Sequence, residues 1–97
     1  MKAELHFDLE FDLNERSMVG VVIWRVPEPV RGSDHPYKYR AAFIVDGECV
    51  LRFDNEAGKG DHIHVGNKER PYEFVDPDQL MVDYWAEVDK WLKKHGG

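Results

Sequence analysis

Cysteine is nearly absent from this chain, and that excludes a disulfide framework. The single thiol, Cys49, has no intrachain partner, and a cysteine-based zinc site needs more thiols. Long apolar runs are also missing. The opening Met1-Lys2-Ala3-Glu4 alternates polar with apolar residues, unlike a signal peptide, and no segment approaches a membrane-spanning length. Both absences point to the cytoplasm. Positive charge is in deficit: 13 Lys and Arg against 19 Asp and Glu give a formal net charge of −6. That argues against a non-specific nucleic-acid coat protein, while leaving room for a local basic patch or a basic partner. Nucleotide fingerprints are missing as well. Gly58-Lys59-Gly60 lacks the first glycine of a P-loop and the Ser or Thr after its lysine, and no Gly-x-Ser-x-Gly elbow occurs.

What is present suits one small domain. A chain of 97 residues, 42% hydrophobic and 12% aromatic, can bury a single thin core between one sheet face and one helix stripe. The patterning predicts an α+β domain spanning residues 1–97. It has an antiparallel sheet of about four to six strands, with one amphipathic C-terminal helix packed on it.

Ala3 to Leu13 alternates strictly, with Leu5, Phe7, Leu9 and Phe11 on one face and Glu4, Asp8, Glu10 and Asp12 on the other. Met18 to Val26 is apolar at nearly every position and reads as a central strand covered on both faces. Tyr37 to Ile44 and Glu48 to Asp54 flank Val45-Asp46-Gly47 as a hairpin. A three-residue loop would pair Phe43 with Cys49, Ala41 with Leu51 and Tyr39 with Phe53, giving a clean apolar face. A two-residue turn would set Phe43 against Val50. His62 to Val65 is a short strand, and Tyr72-Glu73-Phe74 a last strand or an anchor. Asp76, Pro77 and Gln79 open a helix whose stripe is Leu80, Met81, Tyr84, Trp85, Val88, Trp91 and Leu92, and Gly96 closes it.

Chemistry concentrates between Arg52 and His64. His62 and His64 are two apart, so on a strand they share a face. Two imidazoles on one face can work as base and acid near neutral pH, with Asp54 orienting one of them. Arg40, Arg52, Lys38 and Lys59 can bind phosphate, and Tyr37 can stack a base. Together these are the parts for metal-free cleavage of RNA, with the 2′-hydroxyl as nucleophile. The bland alternative is a pair of solvent-facing histidines beside a solvated ion-pair face. A metal would need a third ligand from Asp54, Asp61 or His35, and spacing alone supplies only two; no cofactor is assigned.

The stretches Trp24-Arg25-Val26-Pro27, Tyr37-Lys38-Tyr39-Arg40, Arg52-Phe53-Asp54-Asn55-Glu56, Gly58-Lys59-Gly60-Asp61-His62-Ile63-His64, Pro71-Tyr72-Glu73-Phe74 and Asp83-Tyr84-Trp85 cover nearly the whole chain in order. They resemble the TumE-type toxin family. The resemblance implies the toxin half of a toxin–antitoxin pair, with ribonuclease-like or translation-blocking activity. It also implies a TumA-like antitoxin carrying a DNA-binding domain. It transfers no catalytic residues, so the site rests on residue chemistry. RNA is the expected substrate, no membrane is involved, and homodimerisation is left open. The competing readings are a non-catalytic interaction module and a metal-dependent hydrolase using the His-x-His pair.

Overall fold

The computed structural model describes residues 2–96. Six strands form one antiparallel sheet in sequence order: β1 (Glu4–Asp12), β2 (Ser17–Arg25), β3 (Tyr37–Val45), β4 (Glu48–Glu56), β5 (Gly60–Val65) and β6 (Lys68–Pro71). One helix, α1 (Pro77–His95), follows. The expected α+β architecture is the observed one. Among the described residues no helix is long and apolar enough to cross a membrane.

Helix α1 starts where its sequence dictates. The Asp76 carboxylate accepts the Gln79 backbone N–H at 2.7 Å, and Pro77 occupies a position whose N–H would be unpaired anyway. Gln79 does not complete a reciprocal cap; its side chain donates to Asp83 instead. Gly96, left-handed at φ 70°, ends the helix. Leu80, Tyr84 and Val88 are the buried members of the stripe. Each full apolar burial contributes roughly 1.5–3 kcal/mol. They close over Val19, Val21, Ile23, Tyr39, Ala41, Phe43, Leu51, Phe53 and Ile63, which form the core.

The other face of the sheet carries no second layer. Burial along β2 alternates between buried and half-exposed from Ser17 to Ile23, so the expectation of a strand covered on both faces is overturned. Apolar residues fill its outer positions because Met18, Val22 and Trp24 lie on that open face. On β1 the register shifts at His6, which sends Leu5 to the open face opposite Trp24. Leu5 is accordingly half-exposed.

The central hairpin follows neither expected register along its length. Asp46 (φ 51°) and Gly47 (φ 79°) are both left-handed, which makes a two-residue turn. Val45 therefore faces Glu48, and Ile44 faces Cys49. An extra residue, Val50, then bulges from β4 and slides the pairing, so Phe43 meets Leu51 and Ala42 meets Arg52. None of the three expected pairs survives: Leu51 and Phe53 still face the core, now opposite Phe43 and Ala41, and Cys49 is exposed rather than buried. Residues 72–74 are the anchoring segment: Tyr72 packs edge-on against Phe53, and Phe74 stacks on Tyr39.

Candidate functional site

The registers bring the chemistry-bearing side chains together on the open face. Asp54 on β4 lies opposite Arg40 on one side and His62 on the other, and Arg52 lies opposite His64. Residues directly opposed across antiparallel strands share a face. The imidazoles thus project from the guanidinium-bearing side of the central hairpin. Strand β6, which patterning alone does not reveal, adds Glu69 opposite His64.

The cluster is tight and dry at its centre. His62 is 3% exposed and Asp54 8% exposed. Asp54 Oδ1 lies 2.7 Å from His62 Nε2, and Asp54 Oδ2 lies 2.9 Å from Arg52 Nε. By distance both are ion pairs. Asp54 Oδ1, His62 Nε2 and Arg52 Nε are nonetheless buried without a completed hydrogen bond among the described residues. His62 Nδ1 is 3.0 Å from the Gly60 carbonyl, so that nitrogen carries the proton and donates it.

His64 is the solvent-side ring, with its side chain a quarter exposed. The two rings meet edge to face, with centroids 4.5 Å apart. Burial above all, then the Arg52 charge and His62, holds the His64 imidazole below its ordinary pKa. Glu69 stands at the rim, 3.9 Å from His62 and 3.8 Å from His64. A small hollow of about 130 Å³ between Arg52, His64 and Cys49 borders the cluster. Larger hollows lie elsewhere, one of about 500 Å³ at the Arg16, Trp91 and His95 end of the helix. That hollow also carries a carboxylate, a guanidinium and an imidazole, Glu15, Arg16 and His95, but Arg16 is tied to Asp46 and His95 to the Trp91 carbonyl, and all three are exposed, unlike the buried open-face cluster.

The remaining candidates divide. Arg40 and Lys38 are exposed beside the cluster on β3. Lys59 is held at 3.1 Å by Glu69, which raises the pKa of the amine and lowers that of the carboxyl; it is a rim cation with a partner, not a free phosphate ligand. Tyr37 belongs to the opposite face, where its ring meets His35 and Phe74, so it does not join the basic residues.

His35 and Asp61, the other ligand candidates, pair with each other on the helix side. His35 Nε2 donates to Asp61 at 2.6 Å, its Nδ1 accepting the Tyr37 N–H. Asp61 also accepts from Ser33 and from the Tyr39 hydroxyl. Buried Asn55 joins the same network, accepting from the Tyr39 N–H and donating to the Tyr37 carbonyl and Ser33. These bonds seat the loop of residues 27–36 against the β4–β5 hairpin. Gly60, whose carbonyl holds His62, is fixed from that side.

A family model described as toxin TumE matches residues 2–92. The chain belongs to the TumE toxin family. It is therefore the toxin component of a toxin–antitoxin system, and its partner is an antitoxin. No curated protein and no solved structure matches it. In this TumE family member the most chemically dense stretch, Arg52 to His64, is also the part of the chain that builds the open-face cluster.

Proposed function

We propose that this toxin cleaves RNA on the open face of its sheet. The observation that carries the reading is the opposed pairing of Arg52 with His64 and of Asp54 with His62 and Arg40. Across the face the side chains run from acidic β1, through apolar β2 with exposed Trp24, to basic β3 and then the imidazoles of β5. An uncovered sheet with an exposed aromatic and neighbouring cations suits an unstacked single strand better than a small molecule or a duplex.

In this reading Trp24 stacks a base, while Arg40 and Lys38 hold the phosphate backbone. Arg52 stabilises charge on the reacting phosphate. The 2′-hydroxyl attacks phosphorus, the bond to the 5′-oxygen breaks, and the 2′-proton ends on the departing oxygen. Products are a 2′,3′-cyclic phosphate and a 5′-hydroxyl. Activation of the nucleophile falls to the Asp54–His62–His64 group, reached through His64. A free imidazole pair sharing the proton transfers is less well supported, because His62 is closed to solvent.

The antitoxin in this proposal is of the TumA type with a DNA-binding domain, and the toxin acts as a monomer or homodimer. Purified protein incubated with single-stranded RNA tests the reading. Cyclic-phosphate ends that disappear with His64→Ala support it, and intact RNA at all protein concentrations refutes it. A second reading, a non-catalytic interaction module, is favoured by exposed Leu5, Phe7 and Phe11 on edge strand β1. It predicts growth arrest that survives His64→Ala.

A further inference from the structure

Four buried atoms of the cluster have no hydrogen-bond partner among the described residues: Arg52 Nε, which is a donor, and Asp54 Oδ1, His62 Nε2 and His64 Nε2, each of which can offer a lone pair. Asp54, His62 and His64 can each offer one ligand atom, and those atoms all lie within 4.8 Å of one another. Buried polar atoms are seldom left unpaired, so three lone-pair donors converging on one point call for a common partner. We propose that Asp54, His62 and His64 form a three-ligand site for a divalent transition ion of the zinc class.

The surroundings are arranged as an outer shell would be. His62 donates its Nδ1 proton to the Gly60 carbonyl, which turns Nε2 inward as a bare lone pair. Arg52 Nε sits against Asp54 Oδ2, so Oδ1 is the oxygen turned to the imidazoles. Glu69, within 4 Å of both rings, adds negative charge to offset the nearby guanidinium. Two imidazoles with one carboxylate suit zinc and its neighbours, whereas magnesium and calcium take oxygen donors. Three protein ligands leave a coordination position open, as catalytic sites do and structural zinc sites do not. A bound ion there acidifies a water or polarises a phosphate oxygen.

The competing arrangement is a bare imidazolium–carboxylate pair. The 2.7 Å between Asp54 Oδ1 and His62 Nε2 is shorter than two donors on one tetrahedral ion, which stand roughly 3.3 Å apart. Ion binding therefore opens this pair by about half an ångström, a change a side-chain rotation supplies. The ion's part in catalysis rests on the RNA-cleavage reading; its binding does not.

Zn²⁺, Co²⁺ and Mg²⁺ titrated separately into the full-length protein, freed of metal by chelator, test the site. One Zn²⁺ or Co²⁺ should bind per chain, with a visible cobalt absorption band and an upward shift in Tm, and Mg²⁺ should not compete. His64→Ala and Asp54→Asn, checked for folding by circular dichroism, should weaken Zn²⁺ binding at least about tenfold, while His95→Ala leaves it unchanged. Absence of Zn²⁺ binding by the wild type, or equal binding by folded His64→Ala, overturns the site. RNA cleavage at full rate in chelator overturns the ion's catalytic part and leaves the RNA reading standing. Ion binding by a protein that cuts no RNA overturns the RNA reading, and with it the ion's catalytic part, and leaves the binding site standing.

Discussion

The Nε2 of His62 lies 2.7 Å from Oδ1 of Asp54 on the neighbouring strand, yet neither atom completes a hydrogen bond among the described residues. Evolved interiors seldom leave two such atoms in contact without a bond, and when they do the position is more often functional than structural. This pair sits against the ring of His64 and the guanidinium of Arg52, which is where the account places the toxin's chemistry. The support for that spot comes from the glycine turn behind it.

Gly60 and Gly47 both have positive φ, at 77° and 79°, but their surroundings differ. A Cβ on Gly60 would stand 2.6 Å from the Gly32 carbonyl oxygen, whereas nothing lies within 4 Å of one on Gly47. Gly47→Ala should cost only the left-handed penalty of roughly 1–2 kcal/mol. Gly60→Ala adds a backbone clash, should destabilise by about 3 kcal/mol or more, and should disturb His62 through the Gly60 carbonyl. Chemical denaturation of both variants, with RNA cleavage measured alongside, checks the contrast.

Asn55→Ala should be among the more costly polar substitutions. The side chain is 1% exposed and satisfies the Tyr39 N–H and the Tyr37 carbonyl. Its loss leaves two buried backbone groups unpaired, at about 1–3 kcal/mol each after partial relaxation. A drop in Tm of roughly 10 °C or more follows for a domain of this size, readable by calorimetry. A Tm unchanged within error would show that the loop of residues 27–36 is held some other way.

Alkaline pH should destabilise the fold. Burial, reinforced by Asp61, raises the pKa of Tyr39. Burial, reinforced by Asp83, raises that of Tyr72, and burial raises that of Tyr84. In the unfolded chain these phenols ionise near pH 10. Above that pH the native state holds more protons than the unfolded state, so stability falls as pH rises. Near-ultraviolet absorbance should show the three phenolates forming in one cooperative step that coincides with unfolding. Gradual ionisation of all three in a folded protein would contradict the packing described.

Arg40 is exposed on the open face beside Asp54 and should act on binding more than on turnover. Arg40→Ala should weaken RNA binding and reduce the slope of log affinity against log salt by about 0.7, the value for one phosphate contact on a single strand. Arg52→Ala should lower the cleavage rate as well. An unchanged salt slope in Arg40→Ala would take the RNA path away from β3.

Much of this was legible in the amino-acid order. Period-two alternation announces β1, and Asp76-Pro77 with the Leu80–Leu92 stripe announces α1, because these patterns follow from burial of one face. The pairing of His62 with His64 on one face follows from their spacing. Bulges at His6 and Val50 are not encoded in any period, and they moved Leu5 and Cys49 to unexpected faces. Apolar outer residues on β2 read as a second covered face, although Trp24 and Val22 lie on an open one. Glu69 has no signature in the sequence because β6 is four residues long and fully exposed, with no apolar period. Asp61 precedes His62 on β5 and so takes the opposite face, His35 lies in the loop before β3, and the strand register is what brings Asp54 opposite His62.

Cleavage of a defined single-stranded RNA by wild-type protein and by His64→Ala, each shown to be folded, bears most directly on the open-face site. His64 lies at the solvent edge of the cluster, so its removal should spare the fold. The account predicts cyclic-phosphate products with the wild type and a rate lower by about a hundredfold or more in the variant. Equal rates in the two proteins would contradict it.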